Sequence, residues 1–281
     1  MSRITALYIY PIKSCAGVRL QDSKLGLLGL AHDRRFMFVD AETRHMVTQR
    51  EEPTMAKIVA TVNASAQRLV LSTPHGTANT WLAPEDEDGG RTAPKTVPVT
   101  VWEDTVPGEL VPGEPSELVS AWLSRNVILV RMPPAMDRVV DQTYAQPEDR
   151  VSFADGFPVL VANEASLGEL NSRLEKPLGM ERFRPNVVVD GLPAFAEEEL
   201  GSLSLGAEAR IDLVKPCARC VITTIDPATA ERGKEPLATL ATYRSRRDAK
   251  GKMQTYFAMN ALVRSRGTVR VGDSVAFARD N

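Results

Sequence analysis

Two cysteines lie three residues apart in the run Lys215-Pro216-Cys217-Ala218-Arg219-Cys220, and these thiols are the side chains best suited to chemistry. In a reducing compartment a Cys-x-x-Cys pair points to metal or redox work rather than to a structural bridge. A structural zinc needs four ligands, and this pair supplies two. The others would have to come from Cys15, His32, His45 and His75, none of which forms a second close pair. A thioredoxin-type site wants its pair at a helix N-terminus, whose dipole lowers the thiol pKa. Here the β-branched run Val221-Ile222-Thr223-Thr224 predicts a strand instead. Two buried thiols behaving as small hydrophobes are the plain alternative. Arg219 and Lys215 weigh against it, because nearby cations favour thiolate. A thiolate that binds a soft metal or acts as a nucleophile is the sharper reading.

Three further clusters set polar groups where strands begin or end. Pro11-Ile12-Lys13-Ser14-Cys15 follows an apolar run with a lysine and a serine, and Asp33-Arg34-Arg35-Phe36 opens another run with two guanidinium groups. Arg182-Phe183-Arg184-Pro185-Asn186 does the same before Val187-Val188-Val189. Arginine suits two-point recognition of phosphate and carboxylate. Any one cluster alone reads as a solvated strand end or a surface ion pair. Together with a cysteine they would suit an anion-binding pocket with a soft metal ligand, but periodicity carries no information on whether they converge. His-Glu-x-x-His, Gly-x-Ser-x-Gly and P-loop motifs are absent, so zincin, α/β-hydrolase and NTPase readings lack their residues.

The elements that must position these groups are mostly short strands. Ile4 to Tyr10, Arg35 to Asp40, Lys57 to Val62, Arg68 to Ser72 and Thr96 to Trp102 are rich in β-branched and aromatic residues, a spacing suited to an antiparallel barrel or sandwich. Residues 84–94 are acidic and rich in Gly and Pro, which predicts a solvated loop. Ser116 is placed to cap a short helix with Leu118, Val119 and Trp122 on one face. Val127 to Met132 resumes strand character. Further on, Phe157 to Ala162 reads as a buried strand leading into a helix capped by Asn163, with Leu167, Leu170 and Leu174 inward. Strands are predicted at Asn186 to Val189, Ser202 to Leu205, Ala209 to Val214 and Val221 to Thr224, and a short helix starting at Pro236. Gly267 to Phe277 reads as a hairpin turning at Gly272-Asp273.

Composition narrows the function classes. The chain has 281 residues, enough for one very large domain or two moderate ones. Its 34 Lys and Arg against 36 Asp and Glu give a net charge of −2, which removes the usual case for a nucleic-acid partner. No apolar stretch approaches the roughly 20 residues of a membrane span, and no secretory signal is evident, so no membrane partner and a cytoplasmic location are expected. Three cysteines are too few for a secreted disulfide framework.

At these clusters the sequence resembles the MOSC family, named for the C-terminal part of molybdenum cofactor sulfurase. Tyr10-Pro11-Ile12-Lys13-Ser14-Cys15-x-Gly17 is similar to the opening of the MOSC N-terminal β-barrel domain. Phe183-Arg184-Pro185-Asn186 and Lys215-Pro216-Cys217-x-Arg219-Cys220-x-x-Thr223-Thr224 resemble signatures of the MOSC domain itself. Asp33-Arg34, Thr48-x-Arg50, 152–156, 163–167 and 270–273 add matches in family order. Within the superfamily the chain is most similar to bacterial relatives of the amidoxime-reducing components.

The resemblance implies a mainly β chain with short helices (α+β), with an N-terminal β-barrel domain over 1–125 and a β-barrel-like MOSC domain over 126–281. It implies a molybdenum-pterin cofactor and reduction of N-hydroxylated compounds, amidoximes included, to the amine or amidine plus water. Cys220 matches the cysteine that ligates molybdenum. Lys13, Ser14, Arg34, Arg184 and Asn186 match cofactor-holding positions, and Asp155 an acidic residue at the cofactor's edge. Cys217 matches a less constant position and receives no ligand role. Some bacterial members carry a fused C-terminal ferredoxin domain; none is present here, so no iron–sulfur cluster is expected. Electrons would come from a separate ferredoxin-, flavodoxin- or cytochrome-type donor with its reductase. The basic stretch 244–252 is read as a solvated loop, with partner docking as a second reading. A non-redox alternative for the whole chain is a cofactor or sulfur-carrier module with Cys220 as a persulfide site.

Overall fold

The structure is a computed structural model and describes residues 2–65, 67–82, 95–111 and 113–278. Among these residues nineteen strands and three short α-helices form. The chain begins with β1 (Arg3–Ile9), β2 (Val18–Leu20), β3 (Asp22–Gly26), β4 (Gly29–Leu30), β5 (Phe36–Asp40), β6 (Val59–Asn63), β7 (Arg68–Thr73) and β8 (Gly76–Trp81). It continues through β9 (Thr96–Val101), β10 (Asp104–Val111), α1 (Glu114–Leu123), β11 (Val127–Arg131), β12 (Val159–Asn163), α2 (Glu164–Asn171) and β13 (Val187–Asp190). It ends with β14 (Ser202–Leu205), β15 (Ala209–Ala218), α3 (Leu237–Ala241), β16 (Ser245–Arg247), β17 (Met253–Ser265), β18 (Gly267–Arg270) and β19 (Val275–Ala278).

The largest sheet runs β19-β14-β15-β17-β12-β13-β1-β2, with β16 on the edge of β17. A second runs β5-β11-β10-β9, and two three-stranded sheets are β18-β3-β4 and β6-β7-β8. Each is an open path rather than a closed cylinder. Pairing crosses residue 125 in both directions: β1 lies against β13 in the large sheet, whereas β11 pairs with β5 and β10.

Consecutive apolar residues mark the strands covered on both faces. In β13, Val187 and Val189 join a core cluster with Ile4, Leu7 and Val161, and Val188 points the other way to Ala6, Leu170 and Phe183. The parallel pair β12–β13 is connected through α2, whose N-cap Asn163 accepts a hydrogen bond from Ala165 N–H, as expected for that residue type. Leu167 and Leu170 are buried, while Leu174 falls beyond the helix end.

Several sequence expectations are corrected. Val221–Thr224 is a single 3₁₀ turn, not a strand, because the Thr223 and Thr224 hydroxyls donate back to the carbonyls of Cys220 and Val221. Strands β18 and β19 do not form a hairpin: β18 pairs with β3 and β19 with β14. The N-terminal strand occupies the space between them, with Gly272 N–H donating to Ile4 O and Ile4 N–H to Asp273 O. Gly113, not Ser116, caps α1; the Ser116 hydroxyl donates to Val111 O and accepts from Leu129 N–H, tying the helix to two strands. Trp102 does not end a strand but sits in the two-residue turn between β9 and β10. The predicted loop 84–94 lies outside the described residues.

Candidate active site

One end of the large sheet gathers the predicted groups. The end of β1 leads into Lys13 and Ser14, and β13, antiparallel to it, begins just after Arg184 and Asn186. The far end of β15 carries Cys217 and leads to Cys220. These segments surround an open cleft at the surface. Lys13, Ser14, Arg34, Asp155, Arg184, Asn186 and Cys220 all line it, and so do Phe157, Leu160, Phe183, Cys217, Arg219, Ile222 and Asn260.

A buried tyrosine organises the cationic wall. The ring of Tyr10 lies 4.4 Å from the Arg34 guanidinium and 4.1 Å from that of Arg184. Arg34 donates to Asp33 (2.7 Å) and to Asn186 Oδ1 (3.2 Å), and Arg184 to the carbonyl of Cys15 (2.7 Å). Asn186 is engaged by the protein on both sides of its amide, donating to Tyr8 O and accepting from Leu160 N–H as well as from Arg34. Its contribution is therefore the orientation of Arg34. Ser14, Arg34 and Arg184 have φ values of +63°, +48° and +55°, and Trp102 has +59°. Each non-glycine residue in that left-handed region costs on the order of 1 kcal/mol, and such strain collects at functional sites.

A second chain of contacts runs from Lys13 to Cys220. Lys13 Nζ donates to Asp155 Oδ1 at 2.5 Å, and the Trp102 indole N–H donates to the same oxygen at 3.3 Å. The Arg50 guanidinium stacks on Trp102 at 4.3 Å and donates to Cys220 Sγ at 3.0 Å. Burial would raise the Asp155 pKa, but the charge and hydrogen bond of Lys13, aided by Arg50 and Arg34, outweigh it and hold the carboxyl well below its usual range. Its side chain is 66% exposed at the cleft mouth, so it remains in contact with water while closely ringed by cations. Lys13 is displaced in the other direction from a surface lysine. Burial lowers its pKa to about 8, outweighing the pull of Asp155. Anion binding to the cofactor-free protein should therefore weaken as pH rises through 8, because the ammonium then loses its charge. Phosphate binding followed by calorimetry from pH 7 to pH 9.5 should show that decline in the wild type and a flatter profile in Lys13→Arg; identical slopes would refute it.

Arg50, Trp102 and Arg138 belong to this assembly although composition and spacing gave them no role. Arg50 had a signal only in Thr48-x-Arg50, and Trp102 read as a strand end. Arg138 donates to Asp104 Oδ2 and to the carbonyls of Ser152, Ala154 and Asp155, fixing the loop that presents the acid. Arg219, one of the two cations flanking the cysteine pair in sequence, donates to Cys217 Sγ at 2.9 Å. Cys15 is a core residue; burial pushes its thiol up to about 12, and its carbonyl, not its sulfur, faces the site through Arg184. Among the described residues no group of three or more His, Cys, Asp or Glu side chains is placed to hold a metal ion, which leaves a structural zinc without ligands. In the basic stretch, Arg244 and Arg246 are engaged by Glu198, and Arg247 donates to Gly251 O.

The donor set fits an anionic organic cofactor that brings its own metal. The buried Arg219 Nε has no hydrogen-bond partner, and Ser14 lines the cleft beside Lys13. The remaining N–H groups of Lys13, Arg34 and Arg184, each also tied to the protein, line the same cleft as one soft ligand, the Cys220 sulfur.

Fold and site define a MOSC-type protein. The MOSC N-terminal beta barrel domain matches residues 1–127 and the MOSC domain residues 148–276. The chain belongs to this family, in the branch of the amidoxime-reducing components. It is 33% identical to mitochondrial amidoxime-reducing component 1 of Homo sapiens, over 97% of this chain and 82% of that protein. Identity is 32% to mitochondrial amidoxime reducing component 2 of Homo sapiens, with the same coverage of both chains. It is also 32% to the component 1 protein of Xenopus laevis, over 97% of this chain and 81% of the relative. Among the described residues, no helix is long and apolar enough to cross a membrane.

Proposed function

We propose that this chain is a reductase that uses a molybdenum-pterin cofactor to convert N-hydroxylated compounds, amidoximes among them, to the amine or amidine. The overall change adds two electrons and two protons to the N–OH group and releases water. The names of its relatives support the reaction class, and the observation that carries it to this chain is the convergence of Cys220 with four cations on one cleft. When bound, the cofactor would supply the two-electron chemistry.

The protein's own groups do the rest. Cys220 Sγ offers the soft ligand, and the Arg50 N–H fixes its direction. Arg34 and Arg184, braced by Tyr10, with Lys13, Ser14 and the free Arg219 Nε, hold the anionic and hydrogen-bonding edges. Asp155 stays a carboxylate at neutral pH and is unsuited to donate a proton. Lys13 Nζ, near pH 8, is the cleft group placed to lend one. Electrons would arrive from a separate protein.

Protein made in a host that synthesises the cofactor should carry about one molybdenum per chain and reduce benzamidoxime with a small-molecule electron donor. Substoichiometric molybdenum, unaffected by loss of Cys220, would overturn the reading.

A further inference from the structure

Asn260 lies at the centre of the large sheet, opposite Leu160 of β12 and Lys215 of β15. Directly opposed residues of neighbouring strands share a face, so Leu160, Asn260 and Lys215 form one row across the sheet. Asn186, two strands from Asn260, lies at the cationic end of the cleft, where Leu160 O accepts its backbone N–H. Asn260 thus lies across Leu160 from Asn186, and Phe157 and Cys217 line the same cleft. The two asparagines are differently committed. Asn186 spends its side chain on the protein, whereas the half-buried amide of Asn260 lines the cleft with no hydrogen-bond partner among the described residues.

We propose that the Asn260 amide is the group that recognises substrate, pairing with the amidine half of an N-hydroxyamidine while Phe157 and Leu160 cover its apolar substituent. The inference rests on the reductase reading and adds the recognition group to it. An amide offers a coplanar acceptor and donor. A neutral N-hydroxyamidine presents both kinds of partner, amino N–H donors and unprotonated N–O acceptor atoms, so the amide can accept from it and donate to it. The product amidine is protonated at neutral pH and has only donors, so one of the two contacts is lost. Lys215 Nζ, 5.8 Å from the Phe157 ring centroid, adds a like charge nearby. The same asparagine that captures the neutral substrate therefore releases the cationic product.

Two variants of the molybdenum-loaded protein test this. Asn260→Ala should raise KM for benzamidoxime about 10- to 100-fold with kcat and molybdenum content retained, the loss expected for two neutral hydrogen bonds. Its urea midpoint should be unchanged, because the side chain has no partner to abandon. Asn260→Asp should bind benzamidine at least about tenfold more tightly than wild type in calorimetric titration, since carboxylate and amidinium pair through two charge-assisted hydrogen bonds. If wild type reduces benzamidoxime while Asn260→Ala keeps its KM and Asn260→Asp gains no affinity for benzamidine, the assignment of Asn260 is wrong and the reductase reading stands. If molybdenum-loaded wild type neither reduces benzamidoxime nor binds benzamidine, both are overturned.

Discussion

Cys220→Ser should retain its fold, lose cofactor molybdenum and reduce N-hydroxylated compounds more than about 100-fold more slowly than wild type. Removing a group that merely orients a metal ligand typically costs 10- to 100-fold in metal affinity or activity, so removing the ligand itself costs more. Serine offers a hard, weakly acidic oxygen where a soft thiolate is needed. The fold should survive, because the partly exposed sulfur accepts a single side-chain hydrogen bond, from Arg50. Surface changes of that kind stay within about 0.5 kcal/mol. Metal analysis, turnover with a small-molecule donor and urea unfolding should be read on the same preparation. Full molybdenum with undiminished turnover would remove Cys220 from the site. Cys217→Ser serves as the contrast and should retain both, since that sulfur is held by Arg219 and is assigned no ligand role.

Arg34→Met should cost about 3–5 kcal/mol of stability, the penalty for stranding a buried charge. Asp33 is fully buried; its carboxylate accepts from the Tyr10 backbone N–H at 2.8 Å and from Arg34 at 2.7 Å. Without the guanidinium, the carboxylate loses its ion-pair partner, Asn186 loses a donor and Tyr10 loses one of its two flanking cations. Urea unfolding measures the loss, and a midpoint equal to wild type would show that Asp33 does not depend on Arg34. The double variant Asp33→Asn with Arg34→Met should recover part of it, because the remaining carbonyl oxygen still accepts from Tyr10 and no charge is stranded. Arg34→Lys should fall between, keeping the charge but losing the planar fork that reaches Asp33 and Asn186 together.

Strand content, the Asn163 cap and the buried valines of β13 were legible in the sequence because each depends on local chemistry: β-branched periodicity, a side chain able to accept from a nearby N–H, a run too apolar for solvent. The seven residues proposed for the site were singled out as motifs and through resemblance, and they line one cleft. Nothing local told that the arms of 267–277 would separate, since the strand that parts them comes from the other end of the chain. The turn at Val221–Thr224 was missed because two threonine hydroxyls bonded to carbonyls three residues back, which overrides a β-branched preference.

The sequence alone therefore determined most of the strands and the supply of arginines and cysteines from which the proposed site is built. Tertiary structure alone decided that Arg50 reaches Cys220 across 170 positions of chain, that Trp102 leans on Asp155, and that Asn186 is consumed while Asn260 is left free. Contacts of that range are set by sheet order, and sheet order is fixed by burying both faces of the large sheet at once, a property of the whole chain that no segment carries by itself.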